Sequence, residues 1–221
     1  MSRTGFSAAN YLQVLRTPNL YPCSMAVRFV PTASDAVVRY VFAQTASDTI
    51  GNNVLGFYMH SGNMTPVRTA GGGGSFGNMP FKPTLNDWNH AVGIWPSATQ
   101  TKGYLNGSAG SFGDTITRNP SGVDRVIIGC LNGGNPSTAG TMIADAAIWD
   151  AVLTDDDART YMAGVSPLKI RPASLVAHWP IWGVGSPEPN VVDSARSLSI
   201  VGSLSKGNSP RLLMPQGPRR R

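Results

Sequence analysis

Residues 141–167, TMIADAAIWDAVLTDDDARTYMAGVSP, hold two kinds of structure joined without a linker. The stretch opens as a strand, passes through Trp149 and turns at once into a short helix. Thr154 stands in N-cap position with Asp157 three residues on, the spacing of a capping box. Asp155 and Asp156 fall in the first turn, where negative charge meets unpaired amides and the positive end of the helix dipole. Gly164 suits the position after the last helical residue, and Pro167 forbids continuation. The helix near 155–163 brings Ala158, Tyr161 and Met162 to one face, toward a sheet. The three aspartates could hold a metal or supply an acid, but capping accounts for them.

Working outward, short runs of period near two end in Gly, Pro, Asn or Asp. SMAVRFVP sets Met25, Val27 and Phe29 against Ala26 and Arg28. AVVRYVFAQ sets Val38, Tyr40 and Phe42 on one face and Arg39 on the other. NVLGFYMH follows, and in DWNHAVGIWP the residues Trp88, His90, Val92 and Ile94 share a parity. TKGYLNGSAGS predicts a hairpin turning at Asn106-Gly107, residues that tolerate the positive φ of a tight turn. DRVIIG, MIADAAIWD, LVAHWPI and SLSIVGS complete the set. The glycine-rich segment 69–80 is expected to be a loop between strands: no Lys and helix follow it as a phosphate cradle requires. Evenly spaced strands of this kind predict an all-β antiparallel sandwich. It is read as one domain over 1–208, with an extended basic arm over 209–221.

Composition narrows the function. Charged residues make up 14% of the 221-residue chain, well under the usual quarter, which suits a surface covered in an assembly. The net charge of +6 comes partly from the terminal Arg219, Arg220 and Arg221, expected to touch an acidic partner surface. The interior has no basic run with interleaved aromatics, so specific nucleic-acid binding is not expected. Cys23 and Cys130 lack metal spacing and are expected to be buried free thiols. No signal-peptide core or membrane-length apolar run is present, so folding in a cytoplasm is expected.

WNHAVGIW with TKGYLNGS, and then IADAAIWDAVLTDDDARTYMAG, resemble the laminin G-like, concanavalin A-type jelly roll. That family's pattern is a Trp-x-His strand, a Tyr-x-Asn-Gly hairpin and a late strand ending in Trp, closed by a short helix. Trp88, His90, Tyr104, Asn106, Gly107, Trp149 and Trp179 carry the likeness, which spans residues 25–213. It implies that Trp88 and Trp149 fill the space between two sheets and that His90 is a hydrogen-bonded sheet histidine. The segment after the helix, SLVAHWPIWGVGSPEPNVVDSARSLSIVGS, is similar to laminin G-like proteins of tailed bacteriophages.

The resemblance implies three kinds of activity. Glucanases of this fold use two glutamates in Glu-x-Asp-x-x-Glu on one strand. Here Glu188 is the only glutamate, between prolines, and Asp145 and Asp150 differ in parity, so no enzyme activity is expected. Lectins of the fold suggest a module for host-surface glycans, stacking on Trp95 or Trp182. Calcium, with Asp114, Asp124, Asp145 or the 155–157 triplet as ligands, would then be possible, although no cofactor is required. The favoured expectation is a virion structural protein, a head decoration or a neck or tail accessory module. It would be made in the host cytoplasm, self-associate, and dock through loops and termini on proteins such as the major capsid protein.

Overall fold

The computed structural model describes residues 2–7, 9–15, 20–32, 39–46, 53–71, 73–76, 81–113, 117–130, 142–183 and 185–207. Val38, Asp114 and the arm with Arg219, Arg220 and Arg221 lie outside the described residues. The strands are β1 (Ser2–Thr4), β2 (Tyr11–Leu15), β3 (Cys23–Val30), β4 (Arg39–Ala46), β5 (Val54–His60), β6 (Asn63–Ala70) and β7 (Gly73–Phe76). There follow β8 (Asn89–Ser97), β9 (Gln100–Leu105), β10 (Ser108–Gly113), β11 (Val123–Ile128), β12 (Met142–Trp149) and helix α1 (Asp155–Met162). β13 (Leu175–Trp179), β14 (Ser199–Val201) and β15 (Ser205–Gly207) close the chain.

Two antiparallel sheets face one another. One runs β10-β9-β8-β3-β12-β1-β15, with β13 also on β12; the other runs β14-β2-β11-β4-β5-β6-β7. Period-two alternation sends Met25, Val27 and Phe29 of β3 into the space between them, where they meet Phe42, Leu55, Phe57 and Ile128 of the opposite sheet. Trp95 and Trp179 are the large anchors of this core, both fully buried. Trp95 meets Phe57 edge-on at 5.9 Å and Trp179 meets Phe42 at 6.4 Å, geometries that suit ring quadrupoles. Gly93 has no side chain because the Trp95 indole lies over it; a Cβ there would overlap the ring.

The opposite parity of the eight-stranded sheet builds a second core. Ala26, Val92, Ile94, Tyr104, Ala147 and Trp149 point away from the sandwich and are covered by Ala158 and Tyr161 of α1, with Leu153 and Ile170. Trp149 therefore fills the layer between sheet and helix, not the space between sheets, and its indole N–H donates to the Ile170 carbonyl at 2.7 Å. Trp88 lies half-buried in the loop before β8 and is no inter-sheet anchor. His90, Val92 and Ile94 share a side as expected, whereas Trp88 precedes the strand and Trp149 fills a different layer from the one expected.

α1 is capped as the sequence predicts. The Asp157 amide donates to Thr154 Oγ1 at 3.2 Å, and the Asp157 carboxylate accepts from the Thr154 amide at 2.8 Å. Gly164 follows the C-cap residue Ala163 with φ +92. The hairpin at Asn106-Gly107 forms with φ +49 and +93, the type I′ signature.

Several strands escape a reading by alternation. β6 contains Pro66, which argues against a strand, and Arg68, which is fully buried. The glycine-rich segment is not simply a loop: Thr69 and Ala70 end β6, and Gly73–Phe76 is the edge strand β7. A register shift in β4 between Tyr40 and Phe42 puts Phe42 in the inter-sheet core and Tyr40 on the outer face, so the two do not share a side.

The first and last described strands lie side by side in one sheet. β1 lies between β12 and β15, and Arg3 donates through Nε to Glu188 Oε1 at 2.6 Å with both side chains buried. The Gly183 amide also donates to Glu188 Oε1, at 2.9 Å, and Arg3 donates further to the carbonyls of Leu204 and Gly185. The chain's one glutamate thus closes the fold. Cys23 and Cys130 are buried free thiols, and burial pushes the Cys130 thiol up to about 12.

Candidate functional site

Chemistry-bearing side chains gather in three places. The first lies under α1, on the outer side of the eight-stranded sheet. Asp145 of β12 pairs with Arg28 of β3 at 3.1 Å and with His178 Nε2 of β13 at 2.6 Å. Arg28 Nη2 also donates to the carbonyls of Val165, at 3.1 Å, and Tyr161, at 3.3 Å, and its guanidinium lies 4.6 Å from the Tyr161 ring centroid. A cation is thereby held against the negative end of α1. His90 Nδ1 meets the Met162 carbonyl at 2.7 Å. Burial lowers the His90 pKa, partly opposed by that carbonyl, and burial with the nearby Asp145 carboxylate holds the Tyr161 phenol well above its ordinary value. A His–Asp pair can serve a nucleophile, but this one is buried, and with Arg28 it ties three strands together. It joins the helix layer to the sheet.

The second place is the aspartate triplet, and each member has its own cation. Asp155 Oδ1 accepts from Lys102 Nζ at 2.5 Å and Tyr104 Oη at 2.8 Å. Asp156 pairs with Arg159 at 2.9 Å and Asp157 with Arg171 at 2.5 Å. Lys102 and then Tyr104 hold the Asp155 carboxyl below its usual value, and Lys102 is raised in turn. Burial works against ionising Asp157, but the Thr154 and Arg171 contacts outweigh it and its pKa falls. Asp124 pairs with Arg125 at 3.0 Å. Among the described residues no group of three or more His, Cys, Asp or Glu side chains is placed to hold a metal.

The third place is the outer face of the seven-stranded sheet. Leu55, Phe57 and Met59 of β5 point inward, so Tyr58 and His60 point out. Tyr40 lies directly across from Tyr58. The Tyr40 and Tyr58 rings are 6.0 Å apart, and the Tyr58 and His60 rings 6.2 Å apart and within 10° of parallel. Tyr40 is buried, Tyr58 half-buried and His60 exposed, so the file emerges from the sheet into solvent. Burial raises both phenols, Tyr40 to about 12. The file ends at the tight Ser61-Gly62 turn, both residues having positive φ. There Ser61 Oγ meets His60 Nδ1 at 3.4 Å, and Thr65 and Asn63 face Tyr58 and His60 across the strands. The Tyr40 and Tyr58 rings are tilted by 41°, but aromatic rings such as Tyr58 and His60, edged by hydroxyl and amide groups, can take the C–H face of a pyranose and hydrogen-bond its hydroxyls.

Of the tryptophans expected to stack on a glycan, Trp95 is excluded: it is fully buried in the inter-sheet core. Trp182 is 44% exposed, in the loop after β13. The Tyr40–Tyr58–His60 file escaped the sequence reading, although the alternation in NVLGFYMH held the signal. The string Gly73-Gly74-Ser75-Phe76-Gly77 spells a nucleophile elbow, but Gly73–Phe76 forms an edge strand, not a strand-to-helix turn.

Residues 6–159 match the family described as the Concanavalin A-like lectin/glucanases superfamily. The match begins earlier than the resemblance read from the sequence and ends within α1, leaving β13, β14 and β15 beyond it. No curated protein sequence matches the chain. Among solved structures, the heptameric SAP-like pentraxin from Limulus polyphemus is similar, at 16% identity and TM-score 0.58, over 94% of this chain and 99% of its own. A candidate carbohydrate-binding protein from Bacteroides ovatus is similar at 14% identity and TM-score 0.64, over 95% of this chain and 61% of its own. The CBM40 of Ruminococcus gnavus IT-sialidase, solved with α2,3-sialyllactose, shows 15% identity and TM-score 0.53 over 73% and 98%. At such identities the likeness is one of fold.

Proposed function

We propose, from the premise that this chain belongs to the Concanavalin A-like lectin/glucanases superfamily, that it is a non-catalytic glycan-binding module. The observation that carries the reading is the Tyr40–Tyr58–His60 file on the outer face of the seven-stranded sheet. Tyr58 supplies the stacking surface, His60 extends it, and Ser61 and Asn63 offer the polar rim. Stacking needs no ion, and Asp124, Asp145 and the 155–157 triplet are each engaged with cationic side chains. The sugar-bound Ruminococcus gnavus module of similar fold supports the ligand class. A glycan array probed with the wild-type chain and with Tyr58→Ala, each with and without chelator, tests this. Binding to a subset of glycans, unchanged by chelator and lost in Tyr58→Ala, is expected. A blank array, or equal binding by the variant, would overturn it.

A second reading places the module on a tailed-phage virion, as a head, neck or tail component. It is favoured by the closing segment after α1, which resembles the phage proteins in sequence and here completes both sheets through β14 and β15. Mass spectrometry of purified particles should find the chain in many copies; its absence would sink that reading.

A further inference from the structure

A sheet sandwich has edges, and those of this molecule differ in how they are protected. β14 and β15 are three residues long, and β15 carries Lys206 at its centre. β7 has four residues. The outer side of β13 is met by the 190–191 segment, where the Val191 amide donates to the His178 carbonyl at 3.0 Å. β10 alone among these is long, with six residues, SAGSFG, that include no charge and no proline. Its register with β9 runs unbroken from Ser108 to Gly113, without a bulge to twist it away. Short strands, charges, proline and bulges are the usual defences of an edge, and β10 has none of them.

The backbone there is also self-complementary. Ser108 pairs with Leu105 across the two-residue turn. Residues 108, 110 and 112 therefore exchange hydrogen bonds with β9, and residues 109, 111 and 113 aim N–H and C=O outward. Ser108, Ala109 and Ser111 are exposed. Each chain carries a net charge of +6, so two copies repel unless they meet through an uncharged surface. The β10 edge is such a surface, and the nearby Lys102 of β9 is already paired with Asp155.

We propose that β10 is a self-pairing edge. Two copies join antiparallel about a two-fold axis at Ser111, with Ala109 of each opposite Gly113 of the other, fusing two eight-stranded sheets into one. The contact is isologous and closed, so it stops at a dimer. It rests on the edge and not on the glycan reading.

Sedimentation equilibrium of the full chain tests it. A species of twice the 23.3 kDa chain mass is expected. Ser111→Pro, which removes an outward N–H and leaves the β9 ladder intact, should weaken association at least tenfold. Ser111→Arg, which sets two cations against each other across the axis, should do the same and keeps the fold testable if the proline is not tolerated. Ser111→Cys should cross-link under mild oxidation, because directly paired Cα atoms lie about 5.5 Å apart, within disulfide range. A wild-type monomer up to about 100 µM, far above the micromolar range of a modest interface, would overturn the proposal. So would a dimer that persists in Ser111→Arg.

Discussion

At the scale of single residues, the tryptophans show what a side chain's layer decides. Trp95 and Trp179 fill the space between sheets, Trp149 the space between sheet and helix, and Trp182 is partly exposed to water. Trp95→Ala is predicted to cost about 3–5 kcal/mol, the range for truncating a large core aromatic. Trp182→Ala should stay within about 0.5 kcal/mol. Urea titrations of both variants check the contrast, and equal losses would contradict the layer assignment. The sequence showed that these residues were large and regularly placed, and period two sorted their parities. It could not say which parity faced the second sheet, because both faces of the eight-stranded sheet are apolar and both are covered. Tyr58 and His60 were hidden for the complementary reason. An outward aromatic on one strand looks like any other alternating residue until its neighbour Tyr40 is seen beside it.

At the scale of elements, α1 is the most legible piece. Its caps are local, three residues apart, and leave their spelling in Thr154, Asp157 and Gly164. What holds it to the sheet is not local: Arg28, Asp145, His90, Lys102 and Tyr104 come from four strands. The strands that escaped notice are the three-residue β1 and β15, too short to alternate, the five-residue β2, the glycine-rich β7, and β6, where Pro66 and Arg68 break the pattern. The helix layer also sets a pH dependence. The lowered pKa of His90 means that the unfolded chain takes up its proton first, so stability falls as pH drops below 6.5. The lowered pKa values of Asp155 and Asp157 add stability that is fully present above 3.8 and lost as pH falls through their folded values. Thermal midpoints followed by near-UV circular dichroism should therefore decline in two stages on acidification. His90→Asn should flatten the upper stage; an unaltered upper stage would remove His90 from the account.

At the scale of the whole molecule, the first and last described strands of the sandwich meet. β1 docks between β12 and β15, and the Arg3–Glu188 pair is buried where they join. Removing one partner leaves an uncompensated buried charge, so Glu188→Ala should cost about 3–5 kcal/mol, while Arg3→Met with Glu188→Leu should be close to neutral. A double-mutant cycle by urea unfolding checks the pair, and a double variant as weak as the single one would contradict it. Proximity of sequence gives no hint of a contact 185 residues apart, and an isolated glutamate between prolines carries no pattern that points to one. One outer face carries α1, and the other presents the Tyr40–Tyr58–His60 file on which the proposed glycan binding rests. The most direct test is calorimetric titration of the strongest array glycan into wild type, Tyr58→Ala and Trp182→Ala. The account predicts at least tenfold weaker binding for Tyr58→Ala and wild-type affinity for Trp182→Ala. Wild-type affinity in Tyr58→Ala, or its loss in Trp182→Ala, would contradict it.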